Sequence, residues 1–314
     1  MKRRLALQLG ALGVLGCASA SVGPPPPAPA LGPPASAIPA DLDLVVRLDL
    51  GKIRAALGQA ALDELRAQSR RGGLEPELER MLGDLLQSSD VVLAAVRPEG
   101  TLAVLDNVLV FRGRFATFDP QSYALTPRFG PPHDLGADVR RQQRAGATKR
   151  AEPARLYRSG DDVVVLVSSA AIDSVERQIE ERQGDPHLEP PAKGVLALAA
   201  RAPALGRWVD DRSVRLTRLL RAAGELSGYL DLDSERLTAE LELSVQDETE
   251  AIELARALGE LATAVTRGGG ELTAPLRRLS VEAVGQRVVL RLVLPTEMLA
   301  AALHRQRAEP ETMP

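Results

Sequence analysis

Arg236-Leu237-Thr238-Ala239-Glu240-Leu241-Glu242-Leu243-Ser244-Val245, followed by Gln246-Asp247-Glu248-Thr249-Glu250-Ala251, carries the decisive pattern of this chain. Leu237, Ala239, Leu241, Leu243 and Val245 alternate with Thr238, Glu240, Glu242 and Ser244. A period of two sends each set to its own face, which predicts a half-buried strand. The period then changes. Asp247 and Glu250 stand at capping-box spacing, with Asp in place of Ser or Thr. Ala251, Leu254, Leu258, Leu261, Ala262 and Val265 recur at helical spacing, which predicts a helix burying that stripe against the strand's apolar face.

Working outward, Leu226 to Asp233 pairs with this strand as a hairpin. A second hairpin is expected over Leu276 to Val284 and Arg287 to Leu294, with Gly285-Gln286 suited to a type II′ turn. Leu299, Ala302 and Leu303 mark a last helix. The order is ββαββα, preceded by a short strand at Val195 to Ala199 and a helix around Val214 to Ala223. This C-terminal α+β half is assigned to 194–306, with 307–314 a disordered tail.

The N-terminal half, 41–185, follows the same logic. Leu42, Leu44, Val46, Leu48 and Leu50 alternate with Asp43, Val45, Arg47 and Asp49 as a strand. Helices are expected over Lys52 to Arg70 and Pro76 to Gln87. Hairpins follow at Asp90–Val96 with Leu102–Phe115, and at Arg155–Arg158 with Asp162–Val167. A helix then begins after Ser169. Thr126 to Pro153 is polar and poorly periodic, and reads as a long loop or the site of a hidden short strand. The fold class is α+β: antiparallel sheets with helices packed on one face, in two linked halves. The first half also ends in ββα, although no residue-level repeat marks a duplication.

The N-terminus carries an address. Basic Lys2-Arg3-Arg4 precedes an apolar run, Leu5 to Leu15, and Val14-Leu15-Gly16-Cys17 closes it. This resembles a bacterial lipoprotein signal, with residues 1–16 as the signal peptide. The resemblance implies acylation of the Cys17 thiol and anchoring in the cell envelope, with Ala18 after it pointing to the outer membrane. The apolar run is about half the ~20 residues needed to span a bilayer. Eight of the 22 residues from Ala18 to Pro39 are proline. The segment 17–40 therefore reads as a lipid-anchored extended tether, with a reach of roughly 60 Å at ~3.1 Å per residue.

Three stretches are similar to a bacterial envelope family of unknown function, found in secreted or membrane-anchored proteins. They are Ile38-Pro39-Ala40-Asp41 leading into Leu44-Val45-Val46-Arg47-Leu48-Asp49; Val108-Leu109-Val110-Phe111-Arg112-Gly113-Arg114-Phe115; and Gly228-Tyr229-Leu230-Asp231-Leu232. The resemblance supplies no catalytic residues.

Composition narrows the function. The whole chain carries a net charge of −3. Removing 1–16 takes away Lys2, Arg3 and Arg4 and leaves a more acidic protein of 298 residues. An acidic protein with 3% aromatic residues lacks both the basic face and the stacking platforms of a nucleic-acid binder. Cys17 is the only cysteine, so no disulfide forms within one chain.

No motif announces catalysis, and no metal or cofactor is expected. His133, His187 and His304 lie far apart without metal-ligand spacing. Asp231, Asp233 and Glu235 form an acidic run, but without the glycine and distal glutamate of a calcium loop. The set Asp41, Asp43 and Asp49 is weaker still, because Asp43 and Asp49 read as the polar face of a strand. Arg140, Arg141, Arg144, Lys149 and Arg150 make a basic segment, read as a solvated loop and alternatively as a contact for anionic headgroups. Ser168-Ser169 lacks the glycines of a nucleophile elbow. Arg267-Gly268-Gly269-Gly270 reads as a helix end, and Trp208 as a core anchor. The expected function is a non-enzymatic envelope lipoprotein that binds a partner protein or supports an envelope assembly. Small-molecule or lipid binding stands as the alternative, and an envelope hydrolase is the third reading.

Overall fold

The computed structural model describes residues 38–56, 58, 76–97, 106–123, 133–134, 139–143, 153–168, 171–181, 188–205, 218, 221, 223–233, 235–267 and 273–296. Cys17, Arg144, Lys149, Arg150, Ser169, His187, Trp208, Gly268 to Gly270, His304, the last expected helix and the tail lie outside them. The chain divides into two compact units between His187 and Leu188. Both are α+β, and all strand pairs within each are antiparallel.

The first unit contains β1 (Leu44–Asp49), α1 (Pro76–Ser88), β2 (Ser89–Arg97), β3 (Asp106–Gly113), β4 (His133–Asp134), β5 (Val139–Gln143), β6 (Pro153–Ser159), β7 (Val163–Ser168) and α2 (Ile172–Glu181). Its strand order is β1-β2-β3-β7-β6-β5-β4. Residues 50–56 are helical, and Asp49 Oδ1 caps that turn by accepting from the Lys52 N–H at 2.9 Å.

All six residues of β7 and a five-residue run of β2 are buried. A continuous apolar run is what a strand covered on both faces requires. On one face, Arg155 and Tyr157 of β6 reach Glu176 of α2. Arg158, one residue on and so on the other face, donates to the Phe118 carbonyl. The segment carrying Phe118 packs on α1, where Tyr123 Oη donates to Asp84 Oδ2 at 2.7 Å. Leu78, Met81, Leu85 and Leu86 form the buried stripe of α1. Where α1 meets β2, a Cβ on Gly113 would lie 1.9 Å from the Ser88 carbonyl oxygen. The chains approach that closely because Arg114 N–H donates to the same oxygen.

The polar stretch 126–153 holds more structure than a loop. β5 pairs with β6 from Val139↔Ser159 to Gln143↔Arg155, and β4 pairs with β5. Arg140 and Arg141 therefore sit on a strand, and His133 sits on β4 opposite Arg141. Backbone hydrogen bonds recruit such a segment to the side of a sheet without an apolar face, so the alternation signal is missing.

The second unit contains β8 (Leu196–Arg201), α3 (Ala202–Leu205), β9 (Glu225–Leu232), β10 (Arg236–Ser244), α4 (Glu248–Arg267), α5 (Thr273–Leu276), β11 (Leu279–Val284) and β12 (Arg287–Pro295). Its order is β11-β12-β10-β9-β8. Asp247 Oδ1 accepts from the Glu250 N–H at 2.9 Å, and Glu250 Oε2 accepts from the Gln246 N–H at 3.2 Å. This is a capping box with its return bond shifted one residue upstream. Leu243, Ala251, Leu254 and Val288 form the buried cluster under α4, joined by Leu226, Leu258, Val281 and Leu290. Each fully buried Leu there contributes about 1.5–3 kcal/mol.

The apolar stripe of α4 runs past this cluster. Leu261 and Val265, expected in the core, are 43% and 41% exposed. Leu237 and Leu243 of β10 are buried as expected, whereas Leu241 is half-buried. The second hairpin is shorter than its alternation implied, because Thr273–Leu276 forms a helical turn and Arg277-Arg278 a turn before β11. Gly285 opens the two-residue turn with φ +57°, as the primed hairpin turns demand.

Candidate functional site

The outer face of the second unit's sheet gathers the polar set of each strand. β10 contributes Thr238, Glu240, Glu242 and Ser244, and β12 contributes Arg287, Val289, Arg291 and Val293. Register sets Glu240 opposite Arg291, and their side chains pair at 2.8 Å. Arg287 reaches Glu242 at 3.1 Å. On the other side of β10, Tyr229 lies opposite Glu240 and Asp231 opposite Thr238. Lys193 Nζ donates to Tyr229 Oη at 2.7 Å and lies 4.1 Å from the ring centroid. The hydrogen bond to Tyr229, ahead of the nearby carboxylates, holds the Lys193 ammonium above its ordinary value. Val284 and Val293 are exposed on this face at 50% and 38%. The result is a surface of alternating charges with apolar gaps between them.

The acidic run at the β9–β10 turn is a structural device. Asp233 accepts from the Glu235 and Arg236 N–H groups, both at 2.8 Å, and these bonds lower its carboxyl pKa. Asp231 Oδ1 accepts from the next residue's N–H. Asp233 thus closes the turn, and Asp231 bonds within β9. Asp41 pairs with Arg97, Asp49 pairs with Arg47 at 2.8 Å and caps a helix, and Asp43 is buried. Among the described residues no group of three or more His, Cys, Asp or Glu is placed to hold a metal.

Ser168 is buried at the end of β7, where its Oγ accepts the Asn107 N–H at 3.0 Å. A hydroxyl used in that way joins two strands. The Arg155–Tyr157–Glu176 cluster of the first unit escaped the sequence reading. Arg155 pairs with Glu176, and Tyr157 Oη donates to the same carboxylate at 3.1 Å. Burial first, then the Glu176 charge, pushes the Tyr157 phenol up, so it remains a donor. Its signal in the sequence was weak: Glu176 is simply a polar position of an amphipathic helix.

The fold defines a class: two antiparallel α+β units, each with helices packed on its sheet. Solved structures of TP0453 share this architecture. Crystal form III matches with a TM-score of 0.50 at 12% identity, covering 91% of this chain and 99% of that one. Crystal form IV matches with a TM-score of 0.49 at 12% identity, covering 86% of this chain and 96% of that one. At that identity the likeness is one of fold. No family model matches the chain, so the three stretches read as an envelope family have no counterpart there. No curated protein matches it either. Among the described residues no helix is long and apolar enough to cross a membrane.

Proposed function

We propose that this chain is a non-enzymatic envelope lipoprotein that binds a partner protein through the outer sheet face of its second unit. The observation that carries the reading is the ladder of Lys193, Tyr229, Glu240, Arg291, Glu242 and Arg287, whose cations are exposed and whose Tyr229, Glu240 and Glu242 are half-buried, interrupted by exposed Val284 and Val293. A partner with matching charges gains orientation and encounter rate from such a pattern, and covering the valines adds affinity. The expected Cys17 anchor and proline-rich tether supply the location.

The test is a crosslinking capture from cells carrying the lipidated protein. Reversing two charges, Arg287→Glu with Arg291→Glu, should remove a partner that wild type captures, while Arg277→Glu, outside the ladder, should keep it. An identical capture profile for all three proteins contradicts the reading.

A second reading, binding of a lipid or small molecule, draws on α4. Exposed Leu261 and Val265 lie beyond the packed cluster, while Leu230, Leu241 and Leu292 of the sheet are only half-buried. Loss of a bound lipid from the purified protein on Leu261→Asp would favour it.

A further inference from the structure

We propose that β11 pairs with β11 of a second copy of this chain, forming an antiparallel twofold dimer. The inference stands on the sheet edge and is independent of the partner face described above. β11 ends the strand order, and no described strand pairs with its outer side. Its register on β12 is unbroken from Val284↔Arg287 to Leu279↔Leu292.

The turn at Gly285-Gln286 closes with a bond between its flanking residues, so Val284 directs its backbone groups at β12. Alternation along an antiparallel pair then directs those of Glu282 and Ser280 the same way. The N–H and C=O groups of Ala283, Val281 and Leu279 point to the open side. Protein edges are usually blunted by lysine, proline, a bulge or an inward charge. β11 has none of these; its one charge, Glu282, lies on the outer face beside exposed Val284.

A second copy is the occupant that this edge complements. Across a twofold centred on Val281, Val281 opposes Val281 and Leu279 opposes Ala283. Both pairs lie on the apolar face, where Val281 already packs against the Leu243–Leu254 cluster. On the outer face Ser280 opposes Glu282, so a hydroxyl meets a carboxylate. That centre uses every outward-pointing backbone group of both strands. Moving the centre to Glu282 would set carboxylate against carboxylate.

α4 supports the same contact. β10 and β11 both run antiparallel to β12 and so parallel to each other, which makes β10–α4–β11 a crossover. The right-handed sense of such crossovers turns the Ile252–Gly259 flank of α4 towards the β11 edge. Ile252 is 47% exposed, and a Cβ on Gly259 would meet nothing within 4 Å. In the dimer the two flanks face each other and Ile252 is covered.

The full chain carrying Cys17→Ser, which removes the anchor and the only thiol, is the protein to test. Sedimentation over a dilution series should show reversible doubling of mass. Adding Ala283→Pro should leave it monomeric at every concentration. The fold should survive, because that N–H points outward and edge strands tolerate proline there. In the same Cys17→Ser background, Ser280→Cys with Glu282→Cys should give a disulfide-linked dimer on a non-reducing gel. A monomeric parent chain at all concentrations overturns the proposal. So does undiminished dimer in Ala283→Pro, or a dimeric parent whose cysteine pair never links. Should Ala283→Pro lose its native circular dichroism, the cysteine pair decides alone.

Discussion

At the scale of single residues, burial on α4 separates positions that look alike in sequence. Leu254 is fully buried and Leu261 is 43% exposed. Leu254→Ala is expected to cost about 2–5 kcal/mol, the range for a buried leucine. Leu261→Ala should stay within about 0.5 kcal/mol. Urea denaturation of both variants checks this, and equal losses would mean that the stripe is packed along its whole length. Asp162 gives a pH prediction. It is 3% exposed, and one of its carboxylate oxygens, Oδ2, has no hydrogen-bond partner. Burial outweighs its backbone hydrogen bond and the pull of Arg112, and raises its pKa above the ordinary carboxylate value. The folded state therefore holds that proton more tightly than the unfolded chain. Its ionisation penalises folding as pH rises from the ordinary carboxylate value through the raised one, and no penalty remains below both. Asp162→Asn should raise the Tm relative to wild type at neutral pH, and the difference should shrink on acidification. A difference that does not vary with pH would refute this.

At the scale of elements, the start of α4 and the α1–β2 junction are the places to probe. Asp247→Ala removes the cap accepting the Glu250 N–H and should cost about 0.5–2 kcal/mol. Thermal unfolding measures it, with Glu248→Ala as the control that leaves the cap in place. Gly113→Ala should be far worse. Its Cβ would fall inside the Ser88 carbonyl, a backbone atom that no rotamer change can move. Failure to accumulate as folded protein is expected, whereas Gly259→Ala should be neutral to stabilising in α4 because the added methyl meets nothing and alanine favours helix. A strand held by backbone bonds at the side of a sheet needs no alternation, and Val139-Arg140-Arg141-Gln142-Gln143 has none.

At the scale of the whole molecule, location and contact are expected to matter more than any one polar group. Cys17→Ser should abolish incorporation of labelled palmitate, and equal label on both proteins would remove the anchor. Alanine at His133, Ser168 or Asp231 should leave a deletion-complementation phenotype intact, since Ser168 joins strands and Asp231 bonds its own backbone. One such variant that folds and localises yet behaves as the deletion would overturn the non-enzyme reading. Local patterns of residues establish the α+β class, the β9–β10 and β11–β12 hairpins, the capped start of α4 and which face of β10 is apolar. Each is written in neighbouring residues, where a period of two or 3.6 and a turn or cap suffice. The insertion of β12 between β10 and β11 is a tertiary outcome, because strand order depends on contacts between residues far apart in sequence. That order pairs Glu240 with Arg291, leaves β11 as an edge, and limits α4 to a cluster that ends before Leu261. Which half of an apolar stripe is covered depends on the reach of the sheet beneath it, and local periodicity carries no record of that distance.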